Sequence, residues 1–274
     1  MQTKGLKRDT IDKYYTKNSI VEQCIISVKE HINISENDLI IEPSAGNGAF
    51  ISSIKTIPAK NYKFYDIEPE NHIDIIKQDF LDLDITEMKE YQKIHIIGNP
   101  PFGRQSSLAI KFIKKCCEFS NSISFILPKS FKKDSMQKHF SKYFHLTYQI
   151  DLSEMSFLVN GIETDVPCVF QIWIRKDIPR TNIDKAEPIS FKFVTKKDNP
   201  DISFRRVGVN AGNIIPEIDN KSIQSHYFIQ FTNNKTTVEN IEQLKSIKFD
   251  FNNTVGPRSI SKQELIKEFN KALN

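Results

Sequence analysis

The 274-residue chain is 39% hydrophobic and 26% charged, an ordinary globular composition with enough apolar material for a real core. No stretch reaches the roughly 18 apolar residues that span a bilayer, and the opening residues lack the apolar run of a secretory signal. Cys24, Cys116, Cys117 and Cys168 form no CxxC pair, which predicts reduced core thiols, no metal site and a soluble, intracellular (cytoplasmic) protein.

Apolar residues at helical spacing (Ile20, Val21, Cys24, Ile25, Val28, Ile32) predict a helix over about Ser19 to Ile32. A buried-strand pattern, Leu39-Ile40-Ile41, then runs into the loop Glu42-Pro43-Ser44-Ala45-Gly46-Asn47-Gly48. Phe50, Ile51, Ile54 and Ile57 mark the next helix, and Tyr62 to Ile67 the next strand. Ile94 to Ile97 is a further strand, stopped at Gly98-Asn99-Pro100-Pro101, through which no regular element continues. Leu108, Phe112, Cys116 and Phe119 mark a helix, and Ile123 to Leu127 a strand. This alternation predicts an α/β fold with a doubly wound parallel sheet.

From there the pattern changes. Leu146 to Leu152 and Val166 to Arg175 predict two strands joined by a polar loop, an antiparallel pair at the edge of the sheet. Beyond Pro179 the chain turns polar, irregular and Asn-rich, with strand-like pieces at Ser190–Val194, Ser203–Val209 and His226–Phe231. A domain boundary is placed near Arg180.

Two segments carry chemistry. In the loop from Glu42 to Gly48, glycines allow a tight turn close to a ligand, and the following helix offers free amides. It lacks the three spaced glycines of a GxGxxG phosphate cradle. Asp66 lies 18 residues beyond Gly48, about where a Rossmann-like fold sets an acid on a ribose hydroxyl pair. Either feature alone also occurs as plain structure.

The second segment is Asn99-Pro100-Pro101-Phe102, directly after a buried strand. In doubly wound sheets, ligands bind beyond the carboxyl ends of strands. An aromatic amine is a poor nucleophile because its lone pair is delocalised into the ring. The Asn99 side-chain oxygen and the Pro100 carbonyl can each accept one amine hydrogen and free that lone pair for attack on a methyl group. The diproline preorganises these acceptors, and Phe102 can stack on the ring, worth roughly 1–3 kcal/mol. The bare alternative is a rigid Pro-Pro turn with a packed Phe.

In this order the pieces resemble the amino-methyltransferases of the NPPY/F type, which include N6-adenine-specific DNA methyltransferases. Tyr14-Tyr15-Thr16-Lys17 resembles their motif near the methionine tail of S-adenosylmethionine, with Lys17 departing from the usual Thr-Pro. Ile41 to Gly48 resembles the cofactor loop, whose acid, here Glu42, approaches the methionine amino group. Tyr65-Asp66-Ile67-Glu68-Pro69 resembles the ribose-binding strand end, and Gln78-Asp79-Phe80-Leu81 the motif that meets the cofactor's adenine.

The resemblance covers about residues 10 to 180. It implies a Rossmann-like class I methyltransferase fold, a mostly parallel seven-stranded sheet with an antiparallel edge, plus a small α+β C-terminal region. It implies S-adenosyl-L-methionine as cofactor, held by Tyr15, Thr16, Glu42, Pro43, Ser44, Gly46, Gly48, Asp66, Ile67, Asp79, Phe80 and Asn99. Asn99, Pro100, Pro101 and Phe102 would then be catalytic, and Phe157 a second stacking ring or a loop Phe packed on the sheet.

The expected reaction is methyl transfer to the N6 amine of adenine in nucleic acid, DNA more than RNA, with residues 1–180 catalytic and 181–274 reading the target. RNA adenine-N6 or guanine-N2 methylation, and methylation of a protein glutamine amide, use the same chemistry. The net charge of +4 is compatible with a nucleic-acid partner. A duplex substrate implies base flipping. Arg205, Arg206, Asn210 and Arg258 are the candidate target contacts. Lys129, Lys132, Lys133 and Lys138 around Phe131 either follow a phosphate backbone or form a solvated face.

Overall fold

The computed structural model describes residues 14–70, 72–181, 185–249, 251, 253 and 257–274; residues 1–13 of the expected first domain lie outside them. Contacts group the chain into two units, one ending at Thr181 and the other running to Asn274.

The first unit begins with a two-residue strand, β1 (Tyr15–Thr16), and helix α1 (Asn18–His31), which buries Ile20, Val21, Cys24, Ile25 and Val28 as its spacing predicts. Strand β2 (Leu39–Glu42) is buried throughout. Helix α2 (Ile51–Ile54) is shorter than the apolar pattern through Ile57 suggests, because Pro58 disfavours a helical conformation at the residue before it. Strands β3 (Asn61–Asp66), β4 (Ile75–Lys77) and β5 (Ile94–Gly98) follow, then helix α3 (Ser107–Phe119), strand β6 (Ser122–Pro128) and the short helix α4 (Asp134–Gln137). Strands β7 (Phe144–Asp151), β8 (Phe157–Val159), β9 (Ile162–Thr164) and β10 (Cys168–Arg175) complete the unit.

Seven strands form one sheet in the order β4-β3-β2-β5-β6-β10-β7. Strands β2 to β6 pair in parallel, and β10 runs antiparallel to both neighbours. This is the Rossmann-like class I methyltransferase arrangement. Its order reverses between β2 and β5, so their carboxyl ends open a crevice at the switch point.

One apolar layer packs α1 and α2 on one face of the sheet, and another packs α3 on the other. At about 1.5–3 kcal/mol for each large apolar side chain buried, these layers hold the strand ends in place.

At the amino ends of the strands, His95 sits between Ser122 Oγ (2.8 Å) and Asp38 Oδ2 (3.3 Å), all three buried. Burial holds the His95 imidazole below its ordinary pKa, outweighing the Asp38 contact. The network pins the starts of β2, β5 and β6 on the side of the sheet away from the crevice.

The segment between β7 and β10, expected to be a polar loop, contains a hairpin. Asn160 and Gly161 both have left-handed backbones (φ +50° and +76°), the two-residue turn that matches strand twist. It joins β8 to β9, and β8 pairs with β1, Thr16 opposite Phe157 and Tyr15 opposite Leu158.

The second unit is α+β. Strands β11 (Phe191–Val194), β12 (Ile202–Arg205), β13 (Ile214–Ile215) and β14 (His226–Phe231) form an antiparallel sheet in the order β11-β14-β12-β13. Helices α5 (Thr237–Leu244) and α6 (Lys262–Leu273) follow in a stretch where the sequence pattern predicts only strand-like pieces. Each opens with a reciprocal capping box, Thr236 with Glu239 and Ser261 with Glu264, and α6 buries Leu265, Ile266, Phe269 and Leu273. No helix among the described residues is long and apolar enough to cross a membrane.

Candidate active site

A cavity of about 320 Å³ opens at the carboxyl ends of β2, β3 and β5. Of the expected cofactor residues it is lined by Tyr15, Thr16, Glu42, Pro43, Ser44, Gly46, Asp66, Ile67, Asp79, Phe80 and Asn99, together with Pro101. Residues separated by more than 80 positions thus meet in one crevice.

Gly48 does not line it. Its backbone is left-handed (φ +80°), and a Cβ there would come within 2.7 Å of the His72 ring, so its glycine serves the turn. At Gly46 (φ +54°) a Cβ would press on the Tyr15 ring at 3.2 Å, and the bare backbone keeps that approach open.

Glu42 ends β2 and is only 1% exposed, and its Oε2 has no hydrogen-bond partner. Burial pushes its pKa well above the usual carboxylate range, and the nearby Asp66 charge adds to the rise. Asp66 accepts from Gly46 N and from Glu68 N, both at 2.8 Å, so it also shapes the loop that it faces. Asp79 caps the following turn by accepting from Leu81 N at 2.9 Å. Phe80 is buried, stacked on Phe112 with centroids 5.5 Å apart, while Ile67 is 57% exposed at the rim.

Asn99 follows β5. Its Nδ2 donates to the Tyr14 carbonyl and to Thr16 Oγ1, each at 3.2 Å, while its Oδ1 is buried and unpartnered. A carbonyl can only accept, so the Tyr14 contact fixes the amide with nitrogen toward β1 and oxygen away from it. Ser44 Oγ donates to the Asn99 carbonyl at 3.1 Å, which ties the cofactor loop to the tetrapeptide. Pro100 is buried and Phe102 half-buried, and the Phe102 carbonyl accepts from Leu108 N at 3.1 Å at the start of α3.

Lys17 has a clear place. Its φ of −62° is the value proline imposes, but its N–H donates to Ser156 O at 3.1 Å and its Nζ pairs with Glu163 on β9. Lysine thereby fastens β1 to the β8–β9 hairpin in a way proline could not.

The other expected substrate residues divide. Phe157 is fully buried, edge-on to Tyr14 at 6.4 Å; it packs β1 in place and presents no face for a base. Lys129 and Lys132 share the Asp151 carboxylate at 3.6 and 3.0 Å, and Phe131 is buried, so that cluster is partly offset but stays net positive. Arg205 turns back onto Val207 O (2.8 Å). Arg206 lies over the Tyr227 ring and exposed Arg258 over Phe251, with Gly208 N bonded to Arg258 O. The structure thus joins the segments of Arg206 and Arg258, 52 positions apart, and leaves Asn210 exposed on the adjoining turn.

Leu108 and Phe112, which share one helix face, also line the cavity, as does Tyr14 of the first motif; that Tyr14 acts through its backbone carbonyl has no signal in the sequence.

The residues fit S-adenosylmethionine. The orphaned Glu42 oxygen suits the cofactor's ammonium group, Asp66 its ribose hydroxyls, and Ile67, Asp79 and Phe80 its adenine. The cofactor of this fold is S-adenosylmethionine. Among the described residues no group of three or more His, Cys, Asp or Glu is placed to hold a metal ion.

A family model described as the EDM2 methyltransferase-like domain matches residues 33–187. The type II methyltransferase M.HincII of Haemophilus influenzae is 31% identical over 105 residues, 38% of this chain and 19% of that protein. The protein ENHANCED DOWNY MILDEW 2 of Arabidopsis thaliana is 24% identical over 200 residues, 67% of this chain and 15% of that protein. The chain therefore spans less than a fifth of the length of these relatives. A Listeria monocytogenes structure described as a class I S-adenosylmethionine-dependent methyltransferase is similar at a TM-score of 0.47 and 13% identity, covering 64% of this chain and 66% of that one.

Proposed function

The chain belongs to the EDM2 methyltransferase-like domain family, and on that premise we propose that it transfers a methyl group from S-adenosylmethionine to the exocyclic N6 amine of adenine in nucleic acid, DNA in preference to RNA. The observation that carries this reading is the Asn99 amide, with both nitrogen hydrogens engaged and a buried oxygen left to accept.

When bound, S-adenosylmethionine supplies an electrophilic methyl group on its sulfonium. Asn99 Oδ1 and the Pro100 carbonyl each accept one hydrogen of the amine, which localises the nitrogen lone pair for attack. Because neither acceptor needs to move, little reorganisation accompanies the reaction. Phe102 flanks the ring, and the apolar wall of Phe80, Leu108 and Phe112 excludes water from the developing bond.

In this reading the unit ending at Thr181 holds cofactor and amine, and the unit running to Asn274 contacts the target, Arg206 and Arg258 meeting phosphate or base edges. Lys129, Arg205 and Asn210 play smaller parts. M.HincII, a type II methyltransferase by name, favours the nucleic-acid assignment.

The test is methyl transfer from labelled S-adenosylmethionine to pools of duplex DNA, single-stranded DNA, RNA and protein, with modified nucleosides identified by mass spectrometry. N6-methyladenine in DNA is expected. Product confined to guanine N2, or to glutamine in protein, overturns the adenine assignment.

A further inference from the structure

An asparagine amide can turn about its last side-chain bond and present either end to a substrate. Only the oxygen end can accept from an amine, so some group must hold the nitrogen end. In this fold that group comes from a strand 83 positions upstream: Thr16 Oγ1 takes one Nδ2 hydrogen and the Tyr14 carbonyl the other. The Tyr14 carbonyl is backbone, common to any residue at that position. The Thr16 hydroxyl is chosen by sequence, and it is 5% exposed, so water cannot readily replace it.

We propose that Thr16 is a positioning residue that acts through Asn99, locking its amide with Oδ1 toward the amine. The lock depends in turn on the hairpin. Strand β1 has two residues, and its sheet partner is β8, against which Thr16 lies opposite Phe157. Lys17 adds its N–H to Ser156 O and its Nζ to Glu163. The hairpin thus sets the height at which the Thr16 hydroxyl meets Asn99, and an Asn-Gly turn far from the chemistry in sequence becomes part of its support.

This inference rests on the amine-methylation reading, and its primary test does not require turnover. The Asn99 side-chain amide signal of the full chain, labelled with ¹⁵N-asparagine and identified by its loss in Asn99→Ala, is followed by hydrogen exchange in wild type, Thr16→Val and Thr16→Ser. The proposal expects slow exchange in wild type, at least tenfold faster exchange in the near-isosteric Thr16→Val, and recovery in Thr16→Ser, which restores the acceptor. In the methylation assay, Thr16→Val lowers kcat at saturating cofactor by roughly five- to tenfold, again rescued by serine.

Equal exchange in wild type and Thr16→Val overturns the lock. A weaker cofactor affinity with saturated kcat unchanged also overturns it, and makes Thr16 a cofactor ligand instead. If wild type methylates no nucleic acid while the exchange pattern holds, the adenine reading fails and the lock stands.

Discussion

The Ser44 hydroxyl donates to the main-chain carbonyl of Asn99 at 3.1 Å, joining two loops 55 residues apart in sequence at the mouth of one crevice. In the proposed function these are the cofactor loop and the amine-binding tetrapeptide, and the bond couples their positions. Ser44→Ala removes about 0.5–1.5 kcal/mol of hydrogen bonding and is expected to lower kcat several-fold with a small fall in melting temperature. Steady-state kinetics on Ser44→Ala checks this; a wild-type kcat shows the two loops to be uncoupled.

Glu42 carries a cost in the ligand-free protein, because its Oε2 is buried without a hydrogen-bond partner. A folded-state pKa raised by burial means that the folded chain holds a proton the unfolded chain has released. The stability this contributes is present at low pH and is lost as pH rises from about 4.5 toward the elevated value. Glu42→Gln is expected to flatten that loss, matching or exceeding wild type at pH 7–8, while weakening S-adenosylmethionine binding at least about tenfold, the size of a lost charge-assisted hydrogen bond. Thermal melts across pH, paired with calorimetry, measure both effects. Unchanged cofactor affinity removes Glu42 from the ammonium contact.

The crevice was largely legible because most of its motifs end or follow a strand of the parallel sheet. Glu42 ends β2, Asp66 ends β3 and Asn99 follows β5, so the alternating pattern that announces a parallel sheet also says where those side chains converge. What stayed hidden depends on contacts made across long sequence separations. A two-residue strand such as β1 has no periodicity, and its existence depends on β8. The hairpin has a sequence signal in Asn160-Gly161, and α6 one in Ser261-x-x-Glu264, but both signals are short and lie among polar residues that mask them. Phe157 shows the opposite limit. Its position in the chain suited a stacking ring, but nothing in the sequence reveals that β8 turns it inward against Tyr14.

Phe157 therefore acts on stability first. Phe157→Ala removes a fully buried ring and is expected to cost about 3–5 kcal/mol, whereas Phe157→Leu stays much closer to wild type. Denaturant unfolding of the two variants decides the matter. An alanine variant with wild-type stability and impaired substrate binding restores the stacking role.

His95 predicts an acid-sensitive fold. Burial lowers its pKa from 6.5, so the unfolded chain takes up this proton before the folded one. Stability is therefore lost as pH falls from about 6.5 toward the depressed folded value. His95→Gln should be less stable than wild type at pH 8, yet the difference should narrow as pH falls. A gap that stays constant from pH 8 to pH 5 contradicts the neutral, buried assignment.

The most direct test concerns the amide oxygen of Asn99. Asn99→Ala and wild type are compared in single-turnover methylation of an adenine-containing DNA at saturating S-adenosylmethionine, with cofactor affinity measured in parallel by calorimetry. Loss of a preorganised hydrogen-bonding group at the reacting centre is expected to lower the rate by roughly 10²–10³-fold, with cofactor affinity within about threefold of wild type, a difference below 1 kcal/mol. An Asn99→Ala enzyme that keeps most of its rate contradicts amine activation by this residue.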